Sequence, residues 1–124
     1  MIHLTCKHMP PSVNDCFANN RKTGGRHRTK RYATWANAAG YDLKAQKRNA
    51  FIAGAFTIAI VLDRKSMRSN SDIDNRVKPI LDLLQTLDFI KDDKFCERLT
   101  VEKGTVEGGG FEIFLDEITV KEAA

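Results

Sequence analysis

The segment Phe56-Thr57-Ile58-Ala59-Ile60-Val61-Leu62 is a continuous run of apolar and β-forming residues. Such a run is typical of a strand buried at the centre of a sheet, because neither of its faces alternates with polar positions. Gly54 precedes the run, and the polar residues 68–71 follow it after a short interval. The segment therefore predicts a buried central strand from which the other elements can be placed.

A helix is predicted before this strand, over residues 34 to about 50. That segment is rich in Ala, Lys and Gln and contains no Pro, which favours helix formation. Thr34 is a candidate cap. The residues expected to face the core are Trp35, Ala38, Ala39, Leu43 and Ala50. Near the start of the chain, residues 2–7 alternate weakly and predict a first strand.

A second helix is predicted after the central strand, from near Asp74 to about Leu87. Apolar residues recur there at helical spacing, at Val77, Ile80, Leu81, Leu84 and Leu87. Pro79 is tolerated only in the first turn of a helix, because its missing amide hydrogen costs nothing there. The helix should therefore begin only a few residues before Pro79, with Asp72 in the entering loop.

Two further strands are predicted near the end of the chain, over residues 98–106 and 111–115. The three consecutive glycines at 108–110 are a turn signal, so we expect the two strands to pair as a hairpin. One face of the second strand is apolar and is formed by Phe111, Ile113 and Leu115. Phe114 lies on the other face and is a candidate contact with a partner subunit.

The acidic motif Asp72-Ile73-Asp74-Asn75-Arg76-Val77-Lys78 opens the second helix. Lys78 follows Asp74 by four residues, so both side chains can act at one site. A second acidic pair, Asp92 and Asp93, follows the helix. Carboxylate oxygens are the ligands that Mg²⁺ prefers, and the ion keeps several waters that phosphate oxygens can replace. The combination predicts a metal site for phosphodiester cleavage.

Each part of this motif also has a structural interpretation. An Asp-x-Asp before a helix commonly caps it, a pair of Asp commonly forms a turn, and a lone Lys commonly lies in solvent. A calcium loop is excluded, because its fifth position would be Arg76, its sixth Val77 in place of Gly, and its twelfth Leu83 in place of Glu. The prediction of a metal site therefore depends on these parts occurring together in one chain.

Charge is distributed unevenly along the chain. Residues 1–62 carry ten Lys or Arg against two acids, a net charge of +8, whereas residues 63–124 carry ten against fourteen, a net of −4. Residues 21–31 contain six Lys or Arg and no acid, with a Gly pair that suggests a flexible loop. Clustered cations bind a phosphate backbone with little sequence dependence, although a solvated loop or a localisation signal is the alternative. The candidate DNA contacts in this segment are Arg26, His27, Arg28, Lys30 and Arg31.

The length and composition suit one compact domain, residues 1–124. The hydrophobic content of the chain is 42%, which is enough for a core in 124 residues. No apolar stretch reaches the length of a membrane span, and the opening has no signal-peptide core. We therefore expect a cytoplasmic protein with no membrane partner.

In this order the motifs resemble the RusA family of Holliday-junction resolvases, small homodimeric endonucleases of bacteria and their prophages. The resemblance spans most of the chain. Its parts are Pro10-Pro11-Ser12-Val13-Asn14, the basic stretch leading to Tyr32 and Trp35, Asp72-Ile73-Asp74-Asn75 with Lys78, and Ile90-Lys91-Asp92-Asp93. The acidic parts are quite specific, and the proline motif supports them.

The resemblance implies a small single-domain α/β fold, with a mixed β-sheet flanked by helices, that acts as a homodimer. It implies cleavage of four-way junction DNA in recombination and repair, in association with the nucleoid and with one or two Mg²⁺ ions per active site. Asp72, Asp74 and Asp93 would be metal ligands, and Lys78 would stabilise the phosphate. Spacing alone leaves the choice between Asp92 and Asp93 open, because neighbours in an extended segment point oppositely.

The resemblance also extends the set of candidate DNA contacts. Asn14 belongs to the opening motif, and Arg76 belongs to the acidic motif. Family members often carry a large aromatic residue shortly after the Asn of the opening motif. Here Asn14 is followed by Asp15, Cys16 and Phe17, so the base-stacking role falls on Phe17.

Two other functions fit the same sequence. The first is a DNA-binding or architectural module without catalysis, in which the acids only cap a helix. The second is a metal-dependent nuclease that acts on another branched or single-stranded DNA. Tolerance of substitutions at Asp72 or Asp74 would favour the first, and a comparison of substrates separates the second.

Overall fold

The computed structural model of the chain describes residues 1–68 and 71–120. Its main elements are β1 (Ile2–Cys6), β2 (Phe17–Asn19), β3 (Arg26–Arg28), α1 (Lys30–Lys44), β4 (Phe56–Asp63), α2 (Val77–Thr86), β5 (Cys96–Gly104) and β6 (Phe111–Glu117). Four strands form a mixed sheet in the order β1-β6-β4-β5, and β2 pairs with β3 separately. The predicted α/β fold with a mixed sheet and two helices is therefore confirmed. None of the described helices has the length and apolar character needed to cross a membrane.

β4 is the central strand, as the apolar run predicted. It pairs in parallel with β5 and antiparallel with β6. Its alternate residues Phe56, Ile58, Ile60 and Leu62 are all buried. They belong to one core cluster that also contains residues of both helices, namely Trp35, Ala39, Leu43, Ile80 and Leu84. The core therefore lies between one face of the sheet and the two helices.

The predicted hairpin between the last two strands is wrong. β5 and β6 are both present, but β4 lies between them, so each pairs with β4. The connection crosses the end of β4 at Asp63. The Asp63 N–H donates to the Gly110 carbonyl at 2.9 Å, and the Val106 N–H donates to the Asp63 carboxylate at 3.1 Å. These bonds hold the connection over the end of the central strand, where a hairpin turn was expected.

The glycine run in this connection has a steric function. Gly108, Gly109 and Gly110 all have positive φ angles, which residues with a side chain rarely adopt. A Cβ atom on Gly110 would overlap the Cys6 carbonyl oxygen. Glycine is therefore required where β6 begins beside the end of β1.

The bounds predicted for α1 are wrong at both ends, because the helix begins four residues earlier and ends well before residue 50. Thr29 caps it in place of Thr34: its Oγ1 accepts from the Tyr32 N–H at 3.2 Å and donates to the Asp15 carbonyl at 2.6 Å. The helix cannot continue to residue 50, because Arg48 and Asn49 have positive φ angles. The residues of the helix that are buried are Tyr32, Trp35, Ala39, Gly40 and Leu43. Two residues predicted to face the core, Ala38 and Ala50, are only half-buried.

The start of α2 agrees with the position of Pro79. The helix begins at Val77, so Pro79 lies in its first turn, where no hydrogen bond to its nitrogen is needed. A 3-10 turn, Ile73–Arg76, leads into the helix, with Asp72 at its cap position. The acidic motif is therefore a short turn and the first residues of a buried helix.

The basic segment is more regular than predicted. A flexible loop was expected over residues 21–31, but Arg26–Arg28 is strand β3 and pairs with β2. Lys30 and Arg31 form the first turn of α1. Only the tip of the segment, around the two glycines, is the turn that joins β2 to β3.

We expect Asp63→Ala to lower the free energy of unfolding more than Ser66→Ala does. Asp63 is only 6% exposed, and it accepts from the Ser66 hydroxyl at 2.7 Å as well as from Val106. The alanine leaves the buried Val106 N–H without its acceptor, whereas Ser66→Ala leaves that bond in place. Urea unfolding at neutral pH measures both losses, and a wild-type midpoint for Asp63→Ala would contradict the prediction.

The loss of free energy of unfolding in Asp63→Ala should depend on pH. Hydrogen bonds from Ser66 and Val106 hold the pKa of the Asp63 carboxyl below its ordinary value of 3.8. The ionised carboxylate therefore stabilises the fold above that value, and this contribution is lost as the pH falls through the lowered pKa. The difference in the free energy of unfolding between the wild type and Asp63→Ala should therefore become smaller as the pH falls.

Candidate functional site

Lys78 joins the two acidic parts of the sequence motif. Its Nζ lies 2.5 Å from Asp93 Oδ2 and 2.9 Å from Asp82 Oδ1. Asp82 is four residues further along α2, on the same face of the helix. Asp93 belongs to the 3-10 turn Asp93–Phe95 that leads into β5. The lysine therefore links α2 to the start of β5.

The two adjacent acids, Asp92 and Asp93, have different contacts. The Asp92 carboxylate accepts from the Lys94 N–H at 2.9 Å and so caps the 3-10 turn. Asp93 directs its carboxylate at Lys78, and its backbone N–H donates to Gln85 Oε1 at 3.3 Å. Asp92 thus stabilises the turn, and Asp93 faces α2.

Asp72 and Asp74 are both exposed, on the turn that precedes α2. The Asp72 carboxylate makes no capping hydrogen bond to any described residue of that turn. Asp74 lines a cavity of about 420 Å³ together with Lys78. Most of that cavity is apolar and is formed by Ile73, Val77, Leu81, Leu99 and Val101. The structure thus brings Asp74, Lys78 and Asp93 to one side of the molecule, where the start of α2 and the turn before it approach β5 and the turn that precedes β5.

The ion pairs determine the charge state of this cluster. Hydrogen bonds to Asp93 and then to Asp82 raise the pKa of Lys78 above its ordinary value of 10.5. The Lys78 ammonium in turn holds the pKa of Asp93 below 3.8. Lys78 is therefore a fixed cation and Asp93 a fixed anion at physiological pH.

The donor set fits a hard divalent cation, because Asp72, Asp74 and Asp93 all supply carboxylate oxygens. Within residues 1–68 and 71–120, however, no three His, Cys, Asp or Glu side chains are grouped closely enough to hold a metal ion as they stand. Asp93 is paired with Lys78 instead. Metal binding by all three acids would require Asp93 to exchange that contact for the ion.

Arg76 connects the acidic turn to the opening proline motif. Its Nη1 donates to the Pro10 carbonyl, and the side chain is half-buried. Burial, followed by the nearby charge of Arg31, lowers the pKa of Arg76 from its ordinary value. The guanidinium therefore takes part in the fold, and its predicted contact with DNA stays a prediction.

The remaining candidate DNA contacts lie around the β2–β3 hairpin. The guanidinium of Arg26 lies 4.5 Å from the centre of the Phe17 ring, and that of Arg28 lies 4.4 Å from the centre of the Tyr32 ring. Phe17 also meets Tyr32 edge-on, with ring centres 5.5 Å apart. The ring assigned to base stacking is therefore partly covered within the chain. The exposed members of this group are Asn14, Arg26, His27, Arg28, Lys30 and Arg31.

Asp82 is the site residue that the sequence interpretation missed. The signal was its spacing of four residues from Lys78, which puts opposite charges on one helix face. That spacing is common on solvated helix faces and carries no chemistry by itself. Only the second contact of Lys78, with Asp93, shows that Asp82 belongs to a cluster.

Comparison with family models matches residues 8–116 to the family described as endodeoxyribonuclease RusA. The matched region contains the proline motif, the β2–β3 hairpin, both helices and all the acidic residues of the cluster. No curated protein matches the chain.

We expect Lys78→Gln to raise the pKa of Asp93 towards 3.8, because the ammonium that favours the ionised carboxylate is lost. A carboxyl NMR titration measures the change. Lys94→Gln is the matched control, since the Lys94 ammonium lies over the Phe95 ring, 5.3 Å from its centre. It removes a neighbouring charge but leaves the hydrogen bond from Lys78 in place. An Asp93 pKa that is the same in the wild type and in Lys78→Gln would contradict the pairing.

Proposed function

The chain belongs to the RusA family of endodeoxyribonucleases, and we propose that it resolves four-way DNA junctions by paired, Mg²⁺-dependent cuts. The family makes the protein a DNA-binding endonuclease of Holliday-junction resolution and recombination. The observation that supports specific residues is the cluster around Lys78, which pairs with Asp93 and shares a cavity with Asp74. Carboxylates next to a fixed cation suit a phosphodiester substrate.

Asp72, Asp74 and Asp93 are the proposed ligands of one or two Mg²⁺ ions. These carboxylates would hold the ion, which would supply polarisation of the phosphate and activation of a water. The contribution of the chain is to position the three carboxylates. Asp72 and Asp74 lie on one short turn, and Asp93 lies on the turn before β5. The first turn leads into α2, which packs into the core, and the second follows the buried residues Phe89 and Ile90, so both are anchored to the core on one side.

Lys78 is the proposed electrostatic partner of the scissile phosphate. Its raised pKa keeps the ammonium charged, so it can offset negative charge that develops during cleavage. Asp82 holds the ammonium on the α2 side and remains a partner when Asp93 is engaged elsewhere. We therefore assign Asp82 a positioning role.

We propose that basic residues within residues 1–62 bind the phosphates of the junction arms. Arg26, His27 and Arg28 are exposed on β3, and Lys30 and Arg31 follow in the first turn of α1. Stacking on Phe17 and Tyr32 limits the orientations of Arg26 and Arg28, so less side-chain freedom is lost when they bind phosphate. We retain Asn14, Phe17 and Arg76 as further candidate contacts.

A homodimer is the proposed active form, because a two-fold symmetric junction needs two paired cuts and a symmetric pair of subunits supplies them. The sheet face opposite the helices carries Phe114, which is half-buried and stacks on His3 with ring centres 4.6 Å apart. We assign this face to the partner subunit. We place the protein in the cytoplasm of its bacterial or phage-infected host, at nucleoid DNA.

Asp74→Asn should lower the rate of junction cleavage by about 100-fold or more, because a lost metal ligand removes several kcal/mol of transition-state stabilisation. Junction binding should persist. Cleavage of a labelled four-way junction and of a matched duplex, with Mg²⁺ and with EDTA, measures both properties. The wild type should introduce symmetric nicks into the junction alone, and only with Mg²⁺.

Asp88→Asn is the matched control for this experiment. Asp88 is exposed and has a φ of +59°, a conformation that Asn tolerates, so this variant should cut normally. Loss of binding in Asp74→Asn would indicate a structural role for Asp74. Junction binding without cuts under any divalent ion would favour the DNA-binding module.

Replacing Arg26, Arg28, Lys30 and Arg31 together by Gln should weaken junction binding and flatten its salt dependence. Each lost phosphate contact should reduce the slope of log K against log salt by about 0.9. Lys65→Gln with Arg98→Gln is the control, since both are exposed cations of the acidic half. If the fourfold variant has a normal unfolding midpoint and an unchanged slope, the DNA binds to another surface of the protein.

A further inference from the structure

A groove of about 400 Å³ lies between α1 and α2, and the proposed reaction does not use it. Its apolar lining includes Ala36 and Gly40 of α1 and Leu83 and Leu87 at the end of α2. The volume falls within the range of about 300–1,000 Å³ typical of small-molecule sites. We propose that this groove binds one unstacked nucleotide of the junction DNA. The proposal rests on the junction-resolving function and specifies how the branch point is recognised.

The charges at the groove favour nucleic acid. Arg28 and Lys44 line it, and no acidic residue does so in the described part of the chain. Arg28 lies against the Tyr32 ring, so the β3 end of the groove has a positioned guanidinium. Two cations beside an apolar floor match a flat base flanked by phosphates.

Tyr41 supplies the surface on which a base can stack. It lines the groove, and it is 85% exposed although it lies on a helix that packs against the core. An aromatic ring this exposed contributes little to the fold. Every base has a π-face, so stacking on such a ring tolerates any sequence.

The groove leads to the acidic cluster. Thr86 lines the groove and also a second depression that it shares with Asp82 and Gln85. Asp82 pairs with Lys78, and Gln85 accepts the N–H of Asp93. Thr86 follows Lys78 by eight residues of α2, which is about 12 Å along the helix. At the rise of a stacked strand, a base in the groove would lie within about four nucleotides of the phosphate at Lys78.

A four-way junction can supply such a base at low cost. Stacking is interrupted at the exchange point, and unstacking is cheapest where a base is poorly paired or already free. In an intact duplex the base would have to leave a stack that continues on both sides, in addition to its pair, to fill the groove. Occupation of the groove would therefore favour junctions over duplex DNA.

Gly40 and Tyr41 allow the groove to be tested without damage to the fold. A Cβ on Gly40 would meet Leu87 at 3.9 Å and Leu83 at 4.0 Å, which are ordinary contacts, so Gly40→Ala should keep the groove open. Gly40→Leu should fill it while preserving the helix. Tyr41→Ala removes the ring, and Tyr41→Phe restores it. Unfolding midpoints of all four variants confirm that they fold.

The first measurement is the affinity of each variant for a four-way junction and for the matched duplex, in EDTA so that the DNA stays intact. Gly40→Leu and Tyr41→Ala should bind the junction about 5- to 150-fold more weakly, which is the loss expected for one stacked base. Gly40→Ala and Tyr41→Phe should bind like the wild type. Duplex affinity should be the same for all, because neither Gly40 nor Tyr41 is among the residues proposed to bind the arms.

The second measurement identifies the base. Each nucleotide within four positions of the exchange point is replaced in turn by an abasic sugar. At the position that occupies the groove, the affinity difference between the wild type and Tyr41→Ala should disappear. Wild-type junction affinity for Gly40→Leu and Tyr41→Ala overturns the proposal. A difference that persists at every abasic position also overturns it, because the groove then contacts the backbone or another ligand.

Cleavage by the wild type with Mg²⁺ is scored separately. If the wild type binds junctions but cuts nothing, the proposed function fails, whereas the proposal on the groove is still decided by the binding of the variants. If the wild type cuts junctions and the groove variants bind normally, only the groove proposal fails.

Discussion

The position of β4 between β5 and β6 determines most of the structure. β4 carries alternate buried residues along its whole length and is paired at both edges, so the chain must cross its end to pass from β5 to β6. Asp63 holds that crossing by accepting from Val106 and donating to Gly110. Because β5 runs parallel to β4, its start lies at the same end of the sheet as Phe56. The Asp93 turn therefore precedes β5 within reach of Lys78 on α2.

Lys78 lies within the acidic cluster and offsets its negative charge. Two carboxylates that approach each other repel, and the repulsion would favour protonation of one of them. Here the ammonium lies between Asp82 and Asp93, and it holds the pKa of Asp93 below its ordinary value. A divalent cation would replace part of that compensation with a larger charge. In the proposed mechanism the lysine and the metal would therefore compete for Asp93, which would link metal affinity to the position of Lys78.

Local sequence patterns predicted the elements better than their arrangement. The apolar run of β4 and the position of Pro79 in α2 depend on neighbouring residues alone, and both predictions are confirmed. The glycines before β6 indicate a turn equally well whether the strands on either side pair with each other or with a third strand. That choice depends on Asp63, far away in sequence, whose bonds to Val106 and Gly110 no local pattern reveals. The start of α1 likewise depends on the contact between Thr29 and Asp15.

At the candidate site, too, the sequence predicted one feature, the acidic cluster, and missed another, the groove. Helix α2 connects the two. Lys78, Asp82 and Thr86 lie four residues apart along one face of this helix, so it extends from the acidic cluster to the groove beside Tyr41. The sequence named Asp74, Lys78 and Asp93 as candidates, because several carboxylates beside a lysine are typical of a site for a phosphodiester. The groove could not be predicted, since it forms where Ala36 and Gly40 of α1 face Leu83 and Leu87 at the end of α2, and local sequence patterns do not reveal how the two helices pack. A single helix that contacts both features would couple recognition of the branch point to the position of the cut strand, because both are measured along the same rigid axis.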